Sequence, residues 1–164
     1  MFLKPSILKW VLRFYPPFFF QRIWVVDISD DFHSIQVKIH KSFLNLNANK
    51  TIFGGTIFSA IDPIHSVLLD CIFKKKGINK TVAWLKSANI QYLKPGTTDL
   101  QFKVSLQAYQ VNEALNDIEH HGKVVKTFMT EIFDVTGLKC AECHNEIYIR
   151  DLTFDFTKIE SNIN

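Results

Sequence analysis

Ile35, Val37 and Ile39 alternate with Gln36, Lys38 and His40, and Leu100, Phe102, Val104 and Leu106 alternate with Gln101, Lys103, Ser105 and Gln107. A two-residue period places one set of side chains on each face of a half-buried strand. The first run belongs to a bent or bulged hairpin over 24–40, turning through Ser29-Asp30-Asp31. Further strands are predicted over 82–93, 124–135 and 138–149. Lys94-Pro95-Gly96, a polar turn over 112–123 that includes His120-His121-Gly122, and Thr136-Gly137 separate them. Between the hairpin and these strands the pattern changes. Ile57, Phe58, Ile61, Ile64, Val67, Leu68, Leu69, Ile72 and Phe73 cover nearly every direction of a helical wheel, so this helix is buried. Lys74-Lys75-Lys76-Gly77 closes it, the cations meeting the negative helix end and the glycine supplying a left-handed stop. Pro63 removes an N–H and clashes with the carbonyl of Ser59, which predicts a kink beside Asp62. At the start of the chain, Ile7, Leu8, Val11 and Leu12 recur at helical spacing over 6–15, with Ser6 as N-cap and Pro16 as terminator. A long buried helix ahead of an antiparallel meander must be wrapped by it, which makes the fold α+β. One domain is expected over 1–164, with 6–22 a helical extension and 151–164 a poorly ordered tail.

The composition narrows the function classes. Forty-seven per cent of the residues are apolar, with fifteen Phe and three Trp, which implies a bulky core or an extensive oligomer interface. A net charge of +3 and a pI near 8.7, with no basic stripe interleaved with the aromatics, give no nucleic-acid footprint. Cys71, Cys140 and Cys143 form no even disulfide framework, and reduced thiols suit a cytoplasmic protein. The apolar N-terminal stretch carries Lys9 and Arg13 and is broken by Pro16-Pro17, so it reads neither as an export signal nor as a membrane span. Its helix is expected to pack on the domain in preference to lying on a membrane surface.

The candidate chemistry centres on Asp62, the one carboxylate inside the apolar segment up to Leu69. Burying it costs several kcal/mol unless it is paired, solvated or protonated. Gly54-Gly55 opens the same helix, and free N–H groups there point at whatever docks. Asn47, Phe53-Gly54-Gly55 and Asp62 resemble, in type and spacing, the Asn, His-Gly-Gly and Asp of hotdog-fold acyl-CoA thioesterases of the phenylacetate-pathway kind. The resemblance covers 6–150. Pro16-Pro17, the run over 47–55, Tyr92-Leu93-Lys94-Pro95-Gly96 and Tyr148-Ile149-Arg150 look like an uncharacterised, domain-of-unknown-function branch of that superfamily.

The resemblance implies a hotdog fold, a homodimer or dimer of dimers with its pocket at the subunit interface, and hydrolysis of an acyl thioester, coenzyme A being the expected carrier. It implies no metal and no redox cofactor. Asp62 would act as general base or nucleophile, Gly54, Gly55 and Thr56 at the helix start would hold the thioester oxygen, and Asn47 would orient water or substrate. Phe53 stands where those enzymes have His and can neither donate to nor polarise a carbonyl; it would line an acyl or aryl pocket. A non-catalytic acyl-binding protein is the alternative this replacement raises. His65, one turn beyond Asp62, either faces it or is a core histidine bonded to a carbonyl. Lys94, or Lys74 to Lys76, would meet the phosphates of coenzyme A. Cys140-Ala-Glu-Cys143-His144 matches a haem-attachment pattern, but inside a strand its two thiols are expected on opposite faces, away from any shared metal, unless a bulge intervenes.

Overall fold

Pro5 and Pro16 each occupy the first position of a helix, where a missing N–H costs nothing. The computed structural model, which describes residues 3–156, accordingly opens with α1 (Pro5–Phe14) and α2 (Pro16–Phe20). The N-cap is Lys4, and Ser6 lies inside α1, because Pro5 starts the helix one residue before the expected cap. Leu8, Leu12 and Phe18 are buried against the domain. Arg13 fastens α1 to the sheet: its Nε donates to the Val25 carbonyl at 2.7 Å, and its guanidinium lies 4.5 Å from the Trp10 ring centroid and 4.4 Å from that of Trp24.

The predicted hairpin is β1 (Ile23–Ile28) and β2 (Ser34–Ile39), with a bulge between Val25 and Asp27. Next come α3 (Gly54–Ile61) and α4 (Ile64–Lys75). The expected kink is an interruption of the hydrogen-bond ladder at Asp62 and Pro63, both of which keep right-handed helical dihedrals. The Asp62 N–H still reaches the Phe58 carbonyl at 3.0 Å, but the ladder then stops and restarts with the Val67 N–H on the Pro63 carbonyl at 2.9 Å. Gly54–Lys75 is long and apolar enough to span a membrane, yet 67% of that window is buried inside the fold. It is the core, with Ile61, Ile64, Leu68, Leu69 and Phe73 at its centre.

The chain then forms β3 (Thr81–Tyr92), β4 (Leu100–Ser105), α5 (Ala108–His121), β5 (Lys123–Asp134) and β6 (Lys139–Asp151). The strands make one six-stranded sheet in the order β1-β2-β4-β5-β6-β3, antiparallel throughout. A sheet wrapped around a long central helix is the hotdog arrangement. Two expectations are corrected. Residues 112–121 are helix, not turn: Val111, Ala114 and Ile118 bury one stripe, the Gln107 N–H donates to the Gln110 side chain at 2.9 Å, and Gly122 ends the helix at φ 67°. Nor do the late strands follow one another as a simple meander, since β3 lies outside β6 at the edge of the sheet. β4 ends at Ser105 and pairs with β5 only at Leu100–Asp134 and Gln101–Phe133, because α5 intervenes between them.

Past β6, the Leu152 N–H bonds the Lys80 carbonyl at 2.8 Å and the Asp151 carboxylate accepts from the Thr153 N–H and hydroxyl. The beginning of the expected loose tail is therefore anchored. The rest of it, 157–164, lies outside the described residues.

Candidate active site

The break between α3 and α4 leaves Asp62 half-buried on the wall of a cavity of about 570 Å³, bounded by Ser66, Val67 and Asp70 of α4 and by Thr81, Ala83 and Trp84 of β3. Desolvation raises its pKa above the ordinary carboxylate value. Among the described residues no donor engages its carboxylate, so the alternative of an Asp occupied by N–H groups freed at Pro63 is not what this fold contains. Asp70 lines the same cavity but is consumed, accepting from the Thr81 hydroxyl and the Lys74 ammonium. Asp62 is left as the carboxylate with chemistry to spare.

Ser66 is a residue that sequence reasoning missed. It stands four residues after Asp62, and its buried hydroxyl has no partner. The spacing of Asp62, Ser66 and Asp70 at four-residue intervals was the available signal.

At the other end of α3, the first N–H to close on a carbonyl is that of Thr56, 2.9 Å from the Phe53 oxygen, so the amides of Gly54 and Gly55 sit at the open start of the helix. Asn45 steers the chain into this turn. Its buried amide donates to the Gln21 and His40 carbonyls at 2.8 and 2.9 Å, while its backbone carbonyl accepts from the Phe53 N–H at 2.8 Å. Asn47 is engaged locally: its Nδ2 donates to the Thr51 hydroxyl at 2.8 Å and its Oδ1 accepts from the Asn49 and Thr51 N–H groups.

Both glycines answer to aromatic rings. A Cβ on Gly54 would stand 3.0 Å from the Tyr92 ring, and one on Gly55 would stand 2.3 Å from that of Phe53. The Tyr92 hydroxyl donates to the Gly54 carbonyl at 2.9 Å and so ties the turn to the end of β3. Replacing Tyr92 by Phe is expected to cost about 1 kcal/mol, read as a lower urea midpoint with an unchanged slope; an unchanged midpoint would mean that this bond contributes nothing.

Within one chain the predicted residues are not gathered into a single site. Asn47, Gly54 and Lys94 share a cavity of about 320 Å³ with Tyr92 and Leu93. Phe53, Gly55 and Thr56 share another of about 410 Å³ with Leu44 and Ser59, and Phe53 is 55% exposed. Asp62 stands in a third. His65 stands in a fourth, of about 540 Å³, with Phe102, Phe128 and Thr130. Of the two readings of His65, the core histidine is the one the structure holds: Asp62, Ser66 and Asp70 line one cavity and His65 another. The His65 ring is 2% exposed and stacks on Phe128, with centroids 4.6 Å apart. Its Nδ1 lacks a partner, and burial lowers its pKa to about 4, so the ring is neutral at physiological pH.

For the Cys-Ala-Glu-Cys-His run the condition attached to the two-residue period is met, since the period does not carry from Cys143 to Cys140. A bulge between Ile132 and Phe133 shifts the register at Cys140, and both thiols are buried. Burial pushes the Cys143 thiol up to about 11, and its S–H donates to the Asn145 side chain at 2.6 Å. His144 is exposed and lies beside Glu142. These three side chains do not converge.

The family model described as "Domain of unknown function (DUF4442)" matches residues 4–149. No curated protein matches. Solved structures share the fold at low identity. A Pseudomonas aeruginosa protein of unknown function, described as a probable thioesterase, superposes with a TM-score of 0.77 at 12% identity, covering 88% of this chain and 94% of that one. A putative thioesterase from Shewanella oneidensis gives 0.68 at 20% identity, covering 88% and 98%. The E. coli PaaI protein from the phenylacetic acid degradation operon gives 0.62 at 14% identity, covering 90% and 91%.

Proposed function

The chain belongs to the DUF4442 family, and on that premise we propose that it is an acyl-thioester hydrolase whose sites form between two copies of the chain. The observation that carries the reading is Asp62: a half-buried carboxylate on a cavity wall, its basicity raised by burial, with no protein donor among the described residues. Asp62 takes a proton from water as the water oxygen bonds to the thioester carbonyl carbon, the C–S bond breaks and the departing thiolate receives that proton. Alternatively, the carboxylate attacks the carbonyl itself, expelling the thiolate and forming a mixed anhydride that water hydrolyses to the acid and free Asp62. The Gly54 and Gly55 amides receive the negative charge that develops on the carbonyl oxygen. Asn47 holds the turn that aims them, Phe53 forms a wall for the acyl group, and Lys94 stands at the rim, where a coenzyme A phosphate would pass.

A second copy is needed because Asp62 and the glycine turn lie eight residues apart, roughly 12 Å along a helix, and face separate cavities. The edge strand supports a way to join them. β3 is largely exposed on both faces, an unpaired 12-residue edge carrying Val82 and Trp84. The Asp62 cavity is lined by the Thr81 end of β3 and the Gly54 cavity by its Tyr92 end. Antiparallel pairing of two β3 strands about their midpoint brings the Thr81 end of one copy beside the Tyr92 end of the other. Each Asp62 then meets the glycine turn of the second copy. Light scattering is expected to give twice the 19.0 kDa of one chain; a monomer at micromolar concentration would leave the site incomplete.

Phe53 favours a second reading, an acyl-binding protein without turnover, since it removes the side chain able to polarise a carbonyl. A panel of short, long and aryl acyl-CoA thioesters, followed by release of free thiol, separates the two. Turnover of at least one member is expected. Tight binding with no thiol release across the panel would support the second reading.

A further inference from the structure

α1 carries two apolar faces, and the domain covers only one of them. Leu8 and Leu12 point inward, whereas Ile7, Trp10, Val11 and Phe14 point out and are each about half exposed or more. The outer face continues along α2 as a ladder of rings: Trp10 stacks on Phe14 with centroids 5.9 Å apart, Phe14 on Phe19 at 6.1 Å, and Phe19 meets Phe20 edge-on at 5.6 Å. The turn beside the end of α2 adds Leu44, and Phe43 at 86% exposure. A soluble chain rarely leaves so large an aromatic surface in water without a use for it.

The segment that builds this surface carries charges of one sign. Lys4, Lys9, Arg13 and Arg22 fall before the first acidic residue of the chain, Asp27. Arg13 is spent on Val25 and the two Trp rings, while Lys4, Lys9 and Arg22 make no ion pair among the described residues. Arg22 shares a cavity wall with Phe19, so cation and ring are neighbours. Aromatic rings beside cations that form no ion pair match the interface of a negatively charged bilayer, where rings sit at headgroup depth and each cation near the surface gains from the lipid charge.

A second copy of the chain fits this face poorly, because a two-fold contact would set a patch bearing Lys4, Lys9 and Arg22 against an identical cationic patch. The face also adjoins β1, whereas the proposed pairing edge, β3, is the opposite outer strand of the sheet. Both can be engaged together.

We propose that the α1–α2 face docks on anionic membranes, inserting Trp10, Phe14, Phe19 and Phe20 at headgroup level while Lys4, Lys9 and Arg22 pair with lipid phosphates and carboxylates. The Phe53 cavity opens beside Leu44 at the same end of the molecule, within reach of an acyl chain held in such a bilayer. That last step rests on the hydrolase reading; docking itself does not.

Cosedimentation of the full chain with vesicles of phosphatidylcholine, with and without about a third phosphatidylserine, tests it without reference to turnover. Binding to the anionic vesicles is expected to be at least about tenfold tighter than to the neutral ones, with a blue shift of Trp fluorescence. A Phe14→Glu, Phe20→Glu double variant, changed at the positions 61% and 64% exposed, is expected to lose at least about tenfold of it while keeping the wild-type melting curve. Lys4→Gln with Lys9→Gln is expected to lose the preference for anionic lipid. Equal pelleting of wild type with both vesicle types, or of the double variant with wild type, overturns the proposal. So does a wild-type oligomer that the double variant splits, which would assign the face to protein contact.

Discussion

Asn in place of Asp62 lowers the rate of thioester hydrolysis by at least about a thousandfold, with the melting temperature within a few degrees of wild type. Asn keeps the shape and polarity of the side chain but accepts no proton from water and attacks no carbonyl. No donor among the described residues bonds the native carboxylate, so its loss strands no partner and the fold has little reason to respond. The pH profile carries the same signature. Burial raises the Asp62 pKa, so hydrolysis falls as pH drops through that raised value, above the pH at which an exposed aspartate would titrate. Unchanged turnover in the variant would remove Asp62 from the chemistry, and a collapsed melting curve would make it a structural residue.

Stability falls by roughly 3 kcal/mol between pH 6.5 and pH 4 through His65 alone. The folded-state pKa is depressed from 6.5 to about 4. Above pH 6.5 both folded and unfolded chains hold a neutral ring, and nothing changes. Between the two values the unfolded chain binds a proton that the folded chain refuses, so each step down in pH favours unfolding. Below pH 4 both are protonated and the slope ends. Carboxylates with lowered values, among them Asp99 and Asp134, lose their contribution in a lower range, beneath the ordinary Asp value of 3.8. Asp62, shifted upward, works in the opposite direction. His65→Phe separates the effects: the stack on Phe128 is retained, the unpartnered Nδ1 disappears, and the extra acid sensitivity goes with it, as urea midpoints across pH 7 to 4 would report. Parallel pH curves for the two proteins would show that His65 does not titrate as its burial requires.

How far the sequence carries this picture depends on where each signal is local. The alternation over Leu100–Ser105, the Lys-rich stop before Gly77 and the interruption at Pro63 are written in neighbouring residues, and each lies within a residue or two of its predicted place. α5 was hidden because Val111, Ala114 and Ile118 make a narrow stripe among polar residues, and His120-His121-Gly122 looks like a turn when it is a helix end. The bulge at Cys140 depends on the partner strand and leaves no mark on its own sequence. The same holds for the edge position of β3, whose apolar residues show no alternation because both faces are largely open.

Asp62 was legible as a lone carboxylate in an apolar run. Its company was not. Ser66 and Asp70 share the cavity of Asp62, His65 turns into another against Phe128, and the glycine turn faces others again. Only the arrangement of whole elements around β3 relates them.

Coexpression of an Asp62→Asn copy with a Gly54→Ala copy tests whether the site is shared. Each variant alone is expected to be inactive. In mixed dimers, one site combines the intact Asp62 of the Gly54→Ala chain with the intact glycine turn of the Asp62→Asn chain, so thiol release should return to about a quarter of the wild-type rate. A mixture no more active than its parents would contradict a site built across two copies.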